Sequence, residues 1–415
     1  MKTRFAGIIA AGVAAIMALV AYGAGAQEKR DTSPSVLGVG FLPGANQDFL
    51  RKNMLADLEA RTHLKLRFFQ WNGDVDTLGH LDGPADSVLE WPEAALDAAC
   101  EHGLVMPLAK VLDNSDPHHA ATGEAEQGNT HAAPAPLSPI SPDNAKPSAT
   151  AGDAQRNPVP HKSAAAGAAG IDWLPQGQGK CGLGAWMRSM VLVWDVSKFQ
   201  SVEGWADFWD IAKYPGKRGL HRGAEGNLEI ALMADGVSPG DVYNVLSGKD
   251  GQDRAFRKLA QLRPYIVWWE TDAQAVHLMA SGQVLMESAP AEQIFLADRA
   301  AETGAPSATG KTLRYGVQWS GNLYRIGWWA APSGANPAIV QDFLRVWAGK
   351  EVQQTMAGQT GLGTFSPEAL AGLSPQIIRW MPTADNHWQK GLKIDAAFWA
   401  KNGAMLNERL NQLMK

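Results

Sequence analysis

The chain has 415 residues, with 37 lysines and arginines against 42 aspartates and glutamates and a formal charge of −5. That mildly acidic balance makes it a poor partner for nucleic acid, and its length, less one leader and one biased stretch, leaves about 330 residues for two domains with a core each. Its only cysteines, Cys100 and Cys181, are too few and too far apart for a CxxC redox motif or a cysteine metal cluster.

At the start, Lys2 and Arg4 precede an apolar run over 8–20 and then Ala24-Gly25-Ala26. Charged, apolar and small residues in that order make a secretory signal peptide. The run is shorter than the roughly 20 apolar residues a spanning helix needs. Residues 1–26 are therefore expected to be removed, leaving a soluble periplasmic protein that begins near Gln27 with a formal charge of −7. No cysteine follows the cleavage point to take a lipid. In an oxidising compartment Cys100 and Cys181 are expected to form one disulfide, worth on the order of 4 kcal/mol for a loop of about 80 residues.

The predicted elements begin with a strand over 36–41, a helix over 47–61, strands over 64–69 and 86–89, and a helix over 92–101. From 114 to 170 Ala, Pro, Ser, Gly, His and Asn dominate, with no aromatic residue and only Leu137, Ile140 and Val159 as large apolar side chains. Such a stretch cannot bury enough surface to offset its ordering entropy, and it reads as a disordered insertion. Its four histidines, His118, His119, His131 and His161, read as solvated linker residues rather than metal ligands. A strand over 190–194 follows. A second series has strands over 219–221, 266–269, 284–287 and 313–317, separated by helices over 227–235, 239–247, 252–262, 272–280 and 290–302, before a helical tail from Asn336. Two strand–helix series predict an α/β protein of two lobes with parallel or mixed sheets.

No GxSxG elbow and no GxGxxG after a predicted strand is present, nor any HExxH pair or Walker loop, so an enzyme has no anchor in the sequence and no cofactor or metal is expected. Glu225 and Glu229 stand four apart on one helix face, where surface or capping roles are usual. All sixteen tryptophans lie outside the leader and the insertion. Trp71 and Trp91 stand at strand ends, where they suit either a core or the wall of a ligand cleft. The loop before the first helix offers free amides and a helix start that suit an anionic group; Asn46 there suits ordinary capping equally well.

Longer stretches carry a resemblance. WADFWDIAKYPGKRGL (205–220), LEIALMADGVSPGDVYNVL (228–246), RAFRKLAQLRPYIVWWE (254–270), SGQVLMESA (281–289), WWAAPSGANP (328–337), AGKEVQQ (348–354) and MPTADNHWQKGLKIDAAFWAKNGAMLNERLNQ (381–412) resemble the periplasmic substrate-binding proteins of ABC importers, in the spermidine/putrescine branch. In the first half DSVLEWPEAALDAACEHGLVMPL (86–108) and CGLGAWMRSMVLVWD (181–195) are similar to the same branch. The resemblance implies a two-lobed type II fold with two crossovers, near 194–196 and 323–327. It divides the mature chain into a first lobe over 27–194 and 325–365 and a second over 195–324 and 366–415. A monomer is expected to trap a small nitrogen-containing ligand between the lobes and deliver it to a membrane permease driven by ATPase subunits. A periplasmic sensor showing the same ligand to a membrane receptor is the alternative.

The departures from that branch concern the ligand. Polyamine binders hold ammonium groups with carboxylates after the 219–221 strand and in the second crossover; here those places read Arg222-Gly223-Ala224-Glu225-Gly226 and Tyr324-Arg325-Ile326-Gly327. Arg188, Arg222 and Arg325 suit either a cluster around a carboxylate or phosphate, as in an opine or an amino acid, or outward-pointing solvated charges. The other expected contacts are Ser189, Glu90 and Ser288 at the family's cleft positions, with Trp71 or Trp91 as an aromatic wall, and Asn46, Glu225 and Tyr324.

Overall fold

The computed structural model describes residues 35–43, 45–112, 171–302, 314–384 and 387–414. The leader 1–26 and the 114–170 segment lie outside the described residues. Among the described residues nine strands form one mixed sheet in the order β2-β1-β3-β8-β4-β7-β5-β6, with β9 paired to β8. They are β1 (Val36–Phe41), β2 (Lys65–Gln70), β3 (Ser87–Trp91), β4 (Leu183–Asp195), β5 (Arg218–His221), β6 (Ile266–Trp269), β7 (Met286–Pro290), β8 (Tyr315–Ala330) and β9 (Leu392–Lys393).

Parallel pairing runs through β2-β1-β3 at one end of the sheet and through β7-β5-β6 at the other. In β1 and β3 nearly every residue is buried, the signature of strands covered on both faces. Between these ends lie the antiparallel partners β4 and β8, of 13 and 16 residues. Both are much longer than the predicted strands over 190–194 and 313–317. In β4 Arg188-Ser189 interrupts the apolar run on which a sequence reading relies while the ladder continues through it; in β8 the apolar run gives way to Gln318 and Ser320-Gly321-Asn322, where the pairing with β4 shifts register before it resumes at Leu323.

Hydrophobic cores follow the same division. The first gathers Phe41, Trp91, Phe343 and Trp347 with Leu183–Met187 of β4 and Ile326–Ala330 of β8. Trp329 is its centre, meeting Phe41, Trp186, Phe343 and Trp347 at centroid distances of 5.4 to 5.8 Å. The second core lies around Leu220, Leu228 and Phe256, and the third around Val193, Ile294 and Trp380. β4 and β8 leave the first core and enter the others over residues 188–190 and 323–325.

The helix predicted over 47–61 is two, Ala45–Asn53 and Leu55–Thr62. The break is at Met54, whose φ of −127° departs from helical values while its side chain is buried in the first core. Strand β7 begins two residues later than its prediction, which started at Val284.

Cys100, in the helix Glu93–Glu101, is bonded to Cys181 just before β4, with a Cα–Cα distance of 5.9 Å. That is an ordinary separation for a disulfide, and the expected bond is present. It encloses a sequence separation of 81 residues. Replacing both cysteines by serine is expected to lower stability by about 2–5 kcal/mol, read as a lower urea midpoint with a steeper slope, because the uncrosslinked unfolded chain exposes more surface.

Candidate ligand site

Strands β5, β6 and β7 run parallel, and each leads at its carboxyl end into a helix: Asn227–Ala234, Asp272–Ala280 and Ala291–Glu302. Ligands of open α/β sheets bind at such strand ends, where helix N-termini bring partial positive charge. All three helix starts face one cavity of about 240 Å³, closed on its other side by Arg188-Ser189-Met190 of β4, Leu323 and Arg325 of β8, and Ile394. Arg188, Ser189 and Arg325, polar residues inside the two long strands, thus become the floor of the cavity.

Loop geometry fixes the first helix start. Gly223 and Gly226 have φ values of +156° and +80°, which L side chains rarely adopt. Asn227 Nδ2 donates to the carbonyls of His221 and Gly223 at 2.7 and 2.6 Å, and the Gly226 amide donates to Glu229 Oε2 at 2.8 Å. Glu229 is fully buried. Its Oε1 accepts from Tyr243 Oη at 2.8 Å and from Trp399 Nε1 at 2.6 Å, so the C-terminal helix Ala396–Leu413 braces this loop. Burial pushes the Glu229 carboxyl up to about 7 against those hydrogen bonds. The second helix start is held by a capping box, in which Thr271 Oγ1 accepts from the Gln274 amide and Gln274 Oε1 accepts from the Thr271 amide.

Charges dominate the lining. Arg188 Nε donates to Glu292 Oε1 at 2.6 Å and its terminal nitrogen to Asp272 Oδ2 at 3.1 Å. Glu292, almost completely buried, is the main reason the Arg188 guanidinium titrates above its usual range. Arg325 is paired with Glu225. Glu270 completes the lining and lies 3.6 Å from Arg222. His221 packs edge-on against Trp269 at 4.7 Å, and burial lowers its pKa. Ser189 Oγ donates to Asn322 Oδ1 at 3.2 Å, and Asn322 Nδ2 donates to the carbonyls of Trp319 and His387.

Of the residues expected to contact ligand, Arg188, Ser189, Glu225, Ser288 and Arg325 line this cavity. Six others stand elsewhere. Trp71 and Trp91 lie in the first core, 4.7 Å apart edge to face, their ring nitrogens bonded to the carbonyls of Glu90 and Ala330. They form no cleft wall here, because β3 is covered on both faces. Glu90 Oε2 accepts from the Leu42 amide at 3.2 Å; burial raises this carboxyl to about 7, partly offset by that amide and by Arg188. Arg222 borders a separate groove with Trp268 and Glu408. Tyr324 is half-buried, with its hydroxyl pushed up by burial. Asn46 lies in the helix Ala45–Asn53, and its side chain is outside the described residues.

The arginines therefore do not form the unpaired cluster that one reading of the sequence gives. Each has a carboxylate partner, and for Arg188 the partners are 84 and 104 residues away. Asp272, Glu292 and Glu270 escaped the sequence reading. Their one visible signal is position: each stands within two residues of the end of a strand or the start of a helix.

Residues 53–383 match the bacterial extracellular solute-binding protein family, and the chain belongs to it. A gamma-aminobutyric acid-binding protein from Pseudomonas aeruginosa is 35% identical over 234 residues, 56% of this chain. The match spans 63% of that relative, less than two thirds of its length. Among solved structures, an ABC transporter substrate-binding protein from Bradyrhizobium japonicum aligns with a TM-score of 0.61 at 20% identity, over 92% of this chain and 100% of the other. The periplasmic binding protein MotA from A. tumefaciens B6, in complex with glucopine, aligns at 0.59 and 18% over the same shares. The fold is that of the two-lobed type II periplasmic binding proteins, with a curled mixed sheet flanked by helices.

Beside Ser288 on β7, Glu287 points away from the cavity, fully buried, and neither carboxyl oxygen has a hydrogen-bond partner among the described residues. Gly219 on β5 makes room for it: a Cβ there would lie 2.7 Å from Glu287 Cδ. Burial raises the Glu287 pKa well above 4.5. A carboxyl raised in the folded state supports folding fully below its unfolded pKa, and that support is lost as pH rises toward the folded value. Glu287→Leu is expected to remove this dependence and to stabilise the protein at pH 8 by on the order of 1–3 kcal/mol, measured by urea unfolding at pH 4.5 and pH 8.

Proposed function

We propose that this protein is the ligand-capturing component of an ABC import system, exported through residues 1–26, and that its ligand is a small zwitterionic amino compound. Two arginines and four carboxylates lining one cavity of about 240 Å³ carry this reading. A dianion would meet an excess of negative charge there, and a diamine would meet two guanidinium groups. A ligand with one ammonium and one carboxylate can partner both signs. The names of the relatives support the same class, one a gamma-aminobutyric acid-binding protein and another a complex with the opine glucopine.

Capture is closure about β4 and β8, with the first core as one lobe and the second and third as the other. The second proposed crossover keeps the place read from sequence, near 323–327, whereas the first is drawn at 188–190, where β4 changes cores, and not at the 194–196 read from sequence. Ligand contact with both sides favours the closed population, which the permease recognises. No bond is made or broken.

The test is a thermal-shift and calorimetry panel of 4-aminobutyrate, glucopine, putrescine, spermidine and succinate. A specific ligand at 100 times its Kd stabilises by about 2.7 kcal/mol. At equal concentration 4-aminobutyrate or glucopine is expected to raise the melting temperature more than either polyamine or succinate. A strong spermidine shift with none from the zwitterions overturns the assignment of ligand class, and chemical conversion of a bound compound overturns the binding-protein reading.

A further inference from the structure

The two lining arginines are held very differently. Arg188 is gripped by two carboxylates from the first turns of two helices, one of them, Glu292, almost completely buried. Removing Arg188 from Glu292 would leave a buried charge without its partner, which is strongly unfavourable. Arg188 is thus committed to the scaffold. Arg325 meets one carboxylate, Glu225, and the two side chains are 45% and 41% exposed. Ion pairs at that level of exposure contribute little, so this one is open to exchange.

The geometry points to the Arg325–Glu225 pair as the selectivity element of the cavity, opened by the ligand, whose carboxylate takes Arg325 and whose ammonium takes Glu225. This rests on the binding function proposed above and assigns the residues that set its ligand class. One internal ion pair is replaced by two pairs to the ligand, and every charge keeps a partner. A diamine can take Glu225 only by stranding Arg325. A dicarboxylate can take Arg325 only by stranding Glu225. Rejection therefore comes from the partner left behind as the lobes close, a penalty that falls on both single-sign classes. Because the two groups start in contact, the ligand's charged ends are a few ångströms apart, as in short ω-amino acids.

Calorimetry on the mature protein tests this with three compounds of similar shape: 4-aminobutyrate, its amide 4-aminobutanamide, and butyrate. The unaltered protein is expected to bind 4-aminobutyrate at least about 10-fold more tightly than either of the others. Arg325→Gln is expected to shrink the preference over the amide to about 3-fold or less, and Glu225→Gln to do the same for the preference over butyrate. Arg325→Lys, which keeps the charge, is expected to retain most of the preference. The double variant Glu225→Gln/Arg325→Gln leaves no stranded charge; it is expected to keep the ligand-free melting temperature and to bind all three compounds weakly, which covers the case of a single variant that does not fold. Unchanged preferences in folded Arg325→Gln or in the double variant overturn the inference while leaving the binding function in place. If no zwitterion in the wider panel binds at all, the functional reading fails with it.

Discussion

The antiparallel ladder between β4 and β8 carries the rest of the molecule. Its register runs from Leu183↔Trp329 to Asp195↔Tyr315, with two irregularities on the way. At one end its side chains are buried in the first core, at the other in the second and third. Between them is a short stretch in no single core, where polar groups can stand on regular strands. A ligand placed there touches residues whose backbone is fixed by strand pairing and whose side chains still reach into a cavity. Such positioning is harder to obtain from loops alone.

Local pattern and distant pairing divide what was legible in the sequence. β1, β6 and the helices Asp272–Ala280 and Asn227–Ala234 were readable almost to the residue, because continuous apolar runs and capping residues mark them. The disulfide followed from compartment and count. β4 was cut short because Arg188-Ser189 looks like a strand end, and β8 because Gln318 and Ser320-Gly321-Asn322 follow its first apolar run. Departures from local rules of that kind are expected at functional positions. The family resemblance supplied the architecture that periodicity could not, including a chain that passes twice between its cores.

At the site, the arginines were visible and their partners were not. Arg188 gave no sign in sequence that Glu292 and Asp272 would face it, since contact across more than 80 residues is set by the sheet order β8-β4-β7-β5 and not by spacing. An unpaired guanidinium argues for an anion; a paired one argues for neither sign. Trp71 and Trp91 mislead in the opposite way. Aromatic residues at strand ends suit a cleft, but here these strand ends are buried in the first core and the rings meet in the interior.

The disulfide has a consequence for how the chain can be lengthened. Cys100 and Cys181 fasten together the two sides of the described fold that flank residues 113–170, and the Leu108 amide donates to the Lys180 carbonyl at 2.9 Å between the same two sides. Leu112 and Ile171, where the described chain stops and resumes, are both buried in the first core. Residues added between them start and finish on one covalently clamped patch, and the entropy of such an excursion grows only with the logarithm of its length. The fold thus contains a port at which sequence can be gained, lost or exchanged for a foreign domain while the ladder keeps its register.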